Sequence, residues 1–169
     1  MLSDKLVQAL NKQMNFEFFS AHYYIAIAAY CDSIELEGFA NYFLRQAEEE
    51  QFHAMKFYKY IKDMDGRVII AGMDTPKNEY ENVQDVFEVA LSHEKEVTKR
   101  IYQIMDIAQD ERQYATISLL NWYVDEQVEE EAAMSNLLSK IKKLQDNNLA
   151  LYELDKELAL RTFTPPLNA

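Results

Sequence analysis

The chain has 169 residues, with 29 acidic and 17 basic side chains and a formal net charge of −12. This length fits one domain, residues 1–169, with a sizeable core. The acidic balance disfavours nucleic acid and an anionic membrane surface as partners, because both require basic patches. Cys31 is the only cysteine, so the sequence excludes an internal disulfide and a cysteine-based zinc or iron–sulfur site.

Membrane insertion and export are also not expected. The most apolar stretch, 18–31, is too short to span a bilayer. No basic-then-apolar leader precedes the first helical segment. We therefore expect a cytoplasmic protein.

Five helices are predicted in chain order, because the sequence contains only three Gly and three Pro to interrupt them. The first starts from a cap at Ser3 or Asp4 and ends near residue 32, and a turn at 35–38 follows it. The next three span about 39–64, 82–109 and 113–145, and a shorter fifth helix spans about 149–160.

The lengths of the links predict the topology. Short links at 35–38 and 110–112 make each flanking pair of helices an antiparallel hairpin. The link at 66–81 is long enough to return along a helix of about 40 Å. The sequence therefore predicts an all-α four-helix bundle with one long crossover between helices two and three, plus a short fifth C-terminal helix.

Polar residues interrupt the apolar stripes of the four long helices. Burying an unpaired carboxylate costs several kcal/mol or more, on the order of the desolvation penalty of an ion. No Lys or Arg lies in the stripes, so a metal site is the simplest explanation. The stripe residues concerned are Glu17, Glu50, His53, Glu94, Gln127 and Glu130.

The spacing of these residues indicates two similar halves. Glu17 and Glu50 lie 33 positions apart, as do Glu94 and Gln127. Residues at i and i+3 share a helix face, so Glu50 and His53 can bind one ion together. Carboxylate oxygens with one imidazole suit Fe(II) or Mn(II), and a bridging carboxylate can hold two ions side by side.

Two neighbouring features allow two interpretations each. The glutamate runs at 48–50 and 129–131 are either a solvated helix face or a path for cations. Tyr24 lies two turns beyond Glu17, where it either donates a hydrogen bond to a site carboxylate or packs in the core. Helix one is apolar beyond its stripe, at Tyr23, Ile25, Ile27 and Tyr30, and we expect its second face to pack against another subunit.

Over essentially the whole chain these motifs resemble the ferritins, and most closely the bacterial haem-free ferritins. The residues that carry the resemblance are Glu17, Tyr24, Glu49-Glu50-Gln51-Phe52-His53, Glu94, Trp122 and Glu126-Gln127-Val128-Glu129-Glu130. The resemblance implies a ferritin-like fold and a homo-oligomeric shell of 24 subunits. It also implies that the shell oxidises Fe(II) with O₂ or H₂O₂ and stores a ferric mineral.

The resemblance also implies roles for individual residues. Two irons would share Glu50 as their bridge, and Gln127 would be a hydrogen bonder on the oxygen side. Haem is not expected, because the methionine that binds it in bacterioferritins is replaced by Gln51. The implied ligands are Glu17, Glu50 and His53 for the first iron, Glu94 and Glu130 for the second, and Glu49, Glu126 and Glu129 with the shared Glu130 for a third.

Three other functions remain open from the sequence. A di-iron oxidase acting on an organic substrate would need an apolar pocket and would not form a large shell. A non-catalytic shell subunit would be expected to lack the central ligands, and a purely structural bundle would take up no iron.

Overall fold

The computed structural model describes residues 2–144 and 147–166, and these residues form helices without strands. The all-α prediction is confirmed, and α1 packs on α2 and α3 on α4 as the short links predicted. The predicted end of the fourth helix at residue 145 lies outside the described residues. The helices are α1 (Asp4–Ser33), α2 (Glu37–Asp63), α3 (Val83–Asp110), α4 (Tyr114–Lys143) and α5 (Asn148–Leu158).

Local signals explain where most helices begin and end. The hydroxyl of Ser3 accepts a hydrogen bond from the Leu6 backbone N–H at 3.1 Å, and Asn82 caps α3 in the same way. After α1, α2 and α3 the chain reverses through one residue with positive φ, at Glu35, Asp65 and Arg112. Each of these residues occupies the position where a helix terminus favours glycine.

The prediction of a turn at 35–38 is wrong at its end, because α2 already begins at Glu37. Leu36 provides no side-chain cap, and the cap comes from α5 instead: the Phe39 N–H donates to Asp155 Oδ1 at 2.9 Å. A Cβ on Gly38 would lie 1.7 Å from the Asp155 carbonyl oxygen. Gly38 is therefore a helical residue whose missing side chain lets α5 approach.

The crossover is fastened to α1 by two asparagines one helical turn apart. Asn11 donates to the Arg67 carbonyl at 3.0 Å and accepts from the Ile69 N–H at 2.7 Å. Asn15 repeats the pattern on Ile69 and Ala71, at 2.8 Å for each bond. The pattern fits because four helical residues rise about 6 Å while two extended residues span about 6.6 Å.

The apolar core has two parts, one at each end of the bundle. One is built around Phe39, Phe43 and Phe87, and the other around Phe57 and Ile101. The predicted polar stripe residues lie in the layer between the two parts. Within residues 2–144 and 147–166, no helix has both the length and the apolar character that a membrane span needs.

The second apolar face expected for the first helix is smaller than predicted. Tyr23 and Ile27 are buried within the chain itself, whereas Ile25 is 49% exposed. Tyr30 is partly buried and its ring packs 5.1 Å from that of Tyr80. Of the apolar side chains expected on this second face, Ile25 stays exposed, whereas Tyr23 and Ile27 do not.

Gly38→Ala tests the close approach of α5. The added Cβ meets backbone, which no side-chain rotation relieves, so α5 has to move away from α2. We expect a loss of roughly 2 kcal/mol or more in unfolding free energy and faster proteolysis near α5. Gly72→Ala is the control, because nothing lies within 4 Å of its added Cβ. Equal stability of the two variants would contradict the docking described above.

Candidate metal centre

A layer of polar side chains crosses the middle of the bundle. All six predicted stripe residues are buried there, with at most 6% of each residue exposed. The first two helices contribute Glu17 from α1 and Glu50 and His53 from α2. The second hairpin contributes Glu94 from α3 and, from α4, Gln127 and Glu130.

Ligand atoms in this layer form two groups of three. Glu17, Glu50 and His53 offer atoms that all lie within 4.8 Å of one another, as do Glu50, Glu94 and Glu130. Glu50 belongs to both groups. The geometry therefore has room for two cations side by side with one shared carboxylate.

The four carboxyl groups are strongly perturbed by their surroundings. Burial raises the pKa of Glu17, Glu50 and Glu130 well above the usual range, and neighbouring carboxylates raise it further. Burial also raises the pKa of Glu94, although hydrogen bonds from Tyr24 and Gln127 oppose this shift. Without a cation, the site thus favours protonated carboxyl groups.

Two glutamines that were not predicted as site residues orient three of the four carboxylates. Gln13 Nε2 donates to Glu17 Oε1 at 2.9 Å. Gln46 Nε2 donates to Glu130 Oε2 at 2.6 Å and lies 3.4 Å from Glu50 Oε1. Each glutamine lies four residues before a site glutamate on the same helix, and this spacing is the signal that could have revealed them.

Glu94 is oriented from two sides. The Tyr24 hydroxyl donates to Glu94 Oε1, and the ring is fully buried in the apolar core, so the two interpretations of Tyr24 hold together. Gln127 Nε2 donates to Glu94 Oε2 at 3.0 Å and also to the Glu94 carbonyl at 3.2 Å. The Gln127 amide also lies 3.5 Å from Thr98 Oγ1, so its described hydrogen bonds are with Glu94 and Thr98.

His53 is a member of the central layer that also contacts aromatic side chains. Its Nδ1 is 3.4 Å from Glu50 Oε2, and its ring makes an edge contact with Trp122 at 5.3 Å between centroids. The Tyr123 hydroxyl donates to the His53 carbonyl at 2.7 Å, a contact that the sequence analysis missed. These contacts fix the His53 ring and the turn of α2 that carries it. The ligand group of Glu17, Glu50 and His53 depends on that position.

A third group of ligand atoms shares His53 with the layer but adds two half-buried glutamates, and we call it the outer group. It consists of Glu49, His53 and Glu126, with ligand atoms within 4.8 Å of one another. His53 Nε2 is 3.9 Å from Glu126 Oε2, and burial raises the pKa of Glu126. Glu129 is exposed and joins none of the groups found among the described residues, so its role as a ligand stays a prediction.

The donor set fits divalent metal ions. Glu17 Oε2 is fully buried and has no hydrogen-bond partner among the described residues, so one strong acceptor is left without a donor. A cation between Glu17 and Glu50 would remove both that deficit and the repulsion between the two groups. Oxygen ligands with a single imidazole suit Fe(II) or Mn(II).

Glu17→Gln tests how strongly the metal-free site destabilises the fold. The raised pKa of Glu17 means that its contribution to stability is present below its ordinary pKa of 4.5 and is lost as pH rises above it. The uncharged amide keeps the bond from Gln13 and does not titrate. We expect the metal-free variant to be more stable than the parent near pH 7.5, by roughly 1–3 kcal/mol, and the difference to shrink towards pH 4.5.

Thermal unfolding with chelator, measured across this pH range, checks the expectation. Glu48→Gln on α2 is the control, because the Glu48 side chain is 45% exposed and its substitution should change little. A Glu17→Gln variant that is less stable than the parent at neutral pH would contradict the conclusion that the buried Glu17 carboxyl group destabilises the metal-free fold.

The comparisons with known proteins agree with this geometry. A family model described as a ferritin-like domain matches residues 7–144. A bacterial non-heme ferritin of Staphylococcus aureus is 47% identical over 163 residues, which cover 96% of this chain and 98% of the relative. One of Staphylococcus saprophyticus is 45% identical with the same coverage.

Solved structures agree as well. A structure of the Archaeoglobus fulgidus ferritin, engineered by mutagenesis to a closed form, superposes with a TM-score of 0.96 at 42% identity. The superposition covers 97% of this chain and 100% of the archaeal chain. An open-pore ferritin from the same archaeon has a TM-score of 0.95 at 41% identity, and covers 96% and 100%. The chain therefore belongs to the ferritin family, with bacterial non-heme ferritins among its relatives.

Proposed function

We propose that the protein stores iron and that its buried centre is a ferroxidase site for Fe(II). The observation that carries the proposal is the carboxylate of Glu50, which belongs to two groups of three ligand atoms inside a buried layer. A structural bundle would have no need for this charge, because apolar residues at the same positions would stabilise the fold more. Iron is the substrate here, and Glu17, His53, Glu94 and Glu130 are its other proposed ligands.

The chemistry follows from the charge of the site. Fe(II) binding replaces protons on the buried carboxyl groups, so binding strengthens as pH rises. Two Fe(II) ions then give up two electrons, which with two protons reduce one O₂ to H₂O₂ or one H₂O₂ to water. Carboxylates bind the harder Fe(III) product more strongly than Fe(II), which favours oxidation. Tyr24 and Gln127 hold Glu94 in place during this change.

The outer group is the proposed third iron site. Glu49 and Glu126 support it, because their oxygens lie near His53. The proposed participation of Glu129 and Glu130 would require these side chains to turn towards the ion. Haem stays unexpected because of Gln51, and cytoplasmic location stays a prediction.

Ligand removal tests the ferroxidase site. Glu50→Ala removes the shared ligand and His53→Ala removes the imidazole. We expect each variant to oxidise Fe(II) at least about tenfold more slowly than the parent, since even a second-shell change at a metal site costs about that much. The assay loads metal-free protein with Fe(II) under argon, admits air, and follows the ferric absorbance.

Glu48→Ala is the matched control for this assay. Glu48 precedes Glu50 by two residues, pairs with Arg45 and lies outside the ligand groups of the described residues. It should oxidise Fe(II) at the parental rate. Parental rates in both Glu50→Ala and His53→Ala would remove the site assignment.

Assembly separates storage from oxidation of an organic substrate. Ile25 on α1 and Leu149, Tyr152 and Leu160 around α5 are exposed apolar side chains that another subunit can cover. A cavity of about 510 Å³ between α1 and the crossover is lined by none of the proposed ligands, so it offers no substrate pocket at the centre. These features support a homo-oligomer, and we propose that it is the shell of 24 subunits that the ferritin family implies.

The mass of the native particle after incubation with Fe(II) in air tests the assembly. A 24-subunit shell has 24 times the mass of the chain, and stored mineral adds to its density in sedimentation. A metal-free reference sample from the same preparation controls for aggregation. A monomer or dimer with bound iron and no mineral would instead support the organic-substrate oxidase.

A further inference from the structure

The segment after α5 returns to α2 beside the outer group. Asn41 on α2 donates to the carbonyls of Leu158, Ala159 and Arg161, at 3.1–3.2 Å. Two residues further on, the ring of Phe163 lies 6.2 Å from that of Phe52 on α2. The segment therefore has a defined position at the outer group.

Arg161 is held there in a single orientation. One terminal nitrogen donates to the Tyr42 carbonyl at 3.1 Å, and the guanidinium lies 4.2 Å over the ring of the same tyrosine. The other terminal nitrogen donates to Glu49 Oε2 at 2.8 Å. The side chains of Arg161 and Glu49 are only 24% and 19% exposed, so solvent screens this pair less than an ordinary surface pair.

This contact places a fixed positive charge on a proposed metal ligand. Glu49 has a ligand oxygen within 4.8 Å of ligand atoms of His53 and Glu126, so the same carboxylate serves both Arg161 and the outer group. A second cation, Lys56, lies over the Trp122 ring at 4.4 Å. Its positive charge opposes the rise that burial causes in the pKa of Glu126. The central layer differs, because its four carboxylates have no Lys or Arg partner among the described contacts.

We propose that Arg161 is a built-in counter-cation that weakens metal binding at the outer group relative to the buried centre. It rests on the proposed function, since it concerns the affinity of the third iron site. The guanidinium reduces the net negative charge at the outer group and repels an incoming divalent ion. A third ion therefore binds last and leaves first, while the two central ions are unaffected.

Arg161→Gln tests the proposal with Co(II) as the probe, titrated into the metal-free oligomer and followed by calorimetry and visible absorption. We expect two tight ions per chain in both proteins, and a third ion that binds about tenfold more tightly in the variant, on the order expected for one unit charge removed near the protein surface. Arg161→Lys keeps the positive charge and should bind the third ion as weakly as the parent does.

Two further variants separate this effect from general causes. Arg45→Gln also removes an arginine that pairs with a glutamate of α2, here Glu48, but it should leave all three affinities unchanged. If Arg161→Gln does not fold, Arg161→Met keeps the apolar stem over Tyr42 and provides the same measurement. A merely structural role for Arg161 would weaken the third site or lower stability, and would not tighten binding.

The outcomes separate failure of the role proposed for Arg161 from failure of the ferroxidase proposal. Unchanged or weaker binding of the third ion in Arg161→Gln, with two normal central ions, overturns the role of Arg161 and leaves the ferroxidase proposal intact. Equal tightening in Arg45→Gln also overturns it, because the effect would then be one of overall charge. Failure of the parent to bind the two central ions defeats the proposed function itself.

Discussion

Four buried carboxyl groups face one another in the middle of the bundle, and the fold has to accommodate their charge. Glu17, Glu50, Glu94 and Glu130 lie between two apolar clusters, where burial raises the pKa of each and repulsion from neighbouring site carboxylates raises it further for Glu17, Glu50 and Glu130. Bundles without a ligand gain stability from apolar residues at such positions. Here the side-chain amides of three glutamines orient these groups instead, so the site is preformed. Glu17 Oε2 has no hydrogen-bond partner among the described residues.

The rest of the fold holds this layer in register. The asparagine pair on α1 fixes the crossover, so the two hairpins keep their relative position. The docking of α5 on α2 through Gly38 and Asp155 brings the following segment back to the outer group. The same contacts that stabilise the fold therefore carry Arg161 to Glu49, which joins the end of the chain to the proposed path of iron.

Much of this arrangement could be predicted from the sequence, since periodicity reveals which helix face is buried. The stripe positions of Glu17, Glu50 and Glu94 required only the 3.6-residue repeat. Contacts between residues far apart in the chain were not accessible in this way. The cap that Asp155 provides and the bond from Arg161 to Glu49 span 116 and 112 positions, so the start of α2 and the environment of the outer group were missed. Glu129 was grouped with Glu126, but it lies on the exposed side of α4.

Anomalous diffraction from crystals loaded with Fe(II) without oxygen shows directly whether the buried carboxylates bind a pair of ions. We expect two iron peaks per chain in the buried layer, about 3.5–4 Å apart as in two-metal sites, with Glu50 contacting both and Glu17 Oε2 contacting one. Iron found only at exposed carboxylates, with Glu17 and Glu50 unchanged and unliganded, would contradict it.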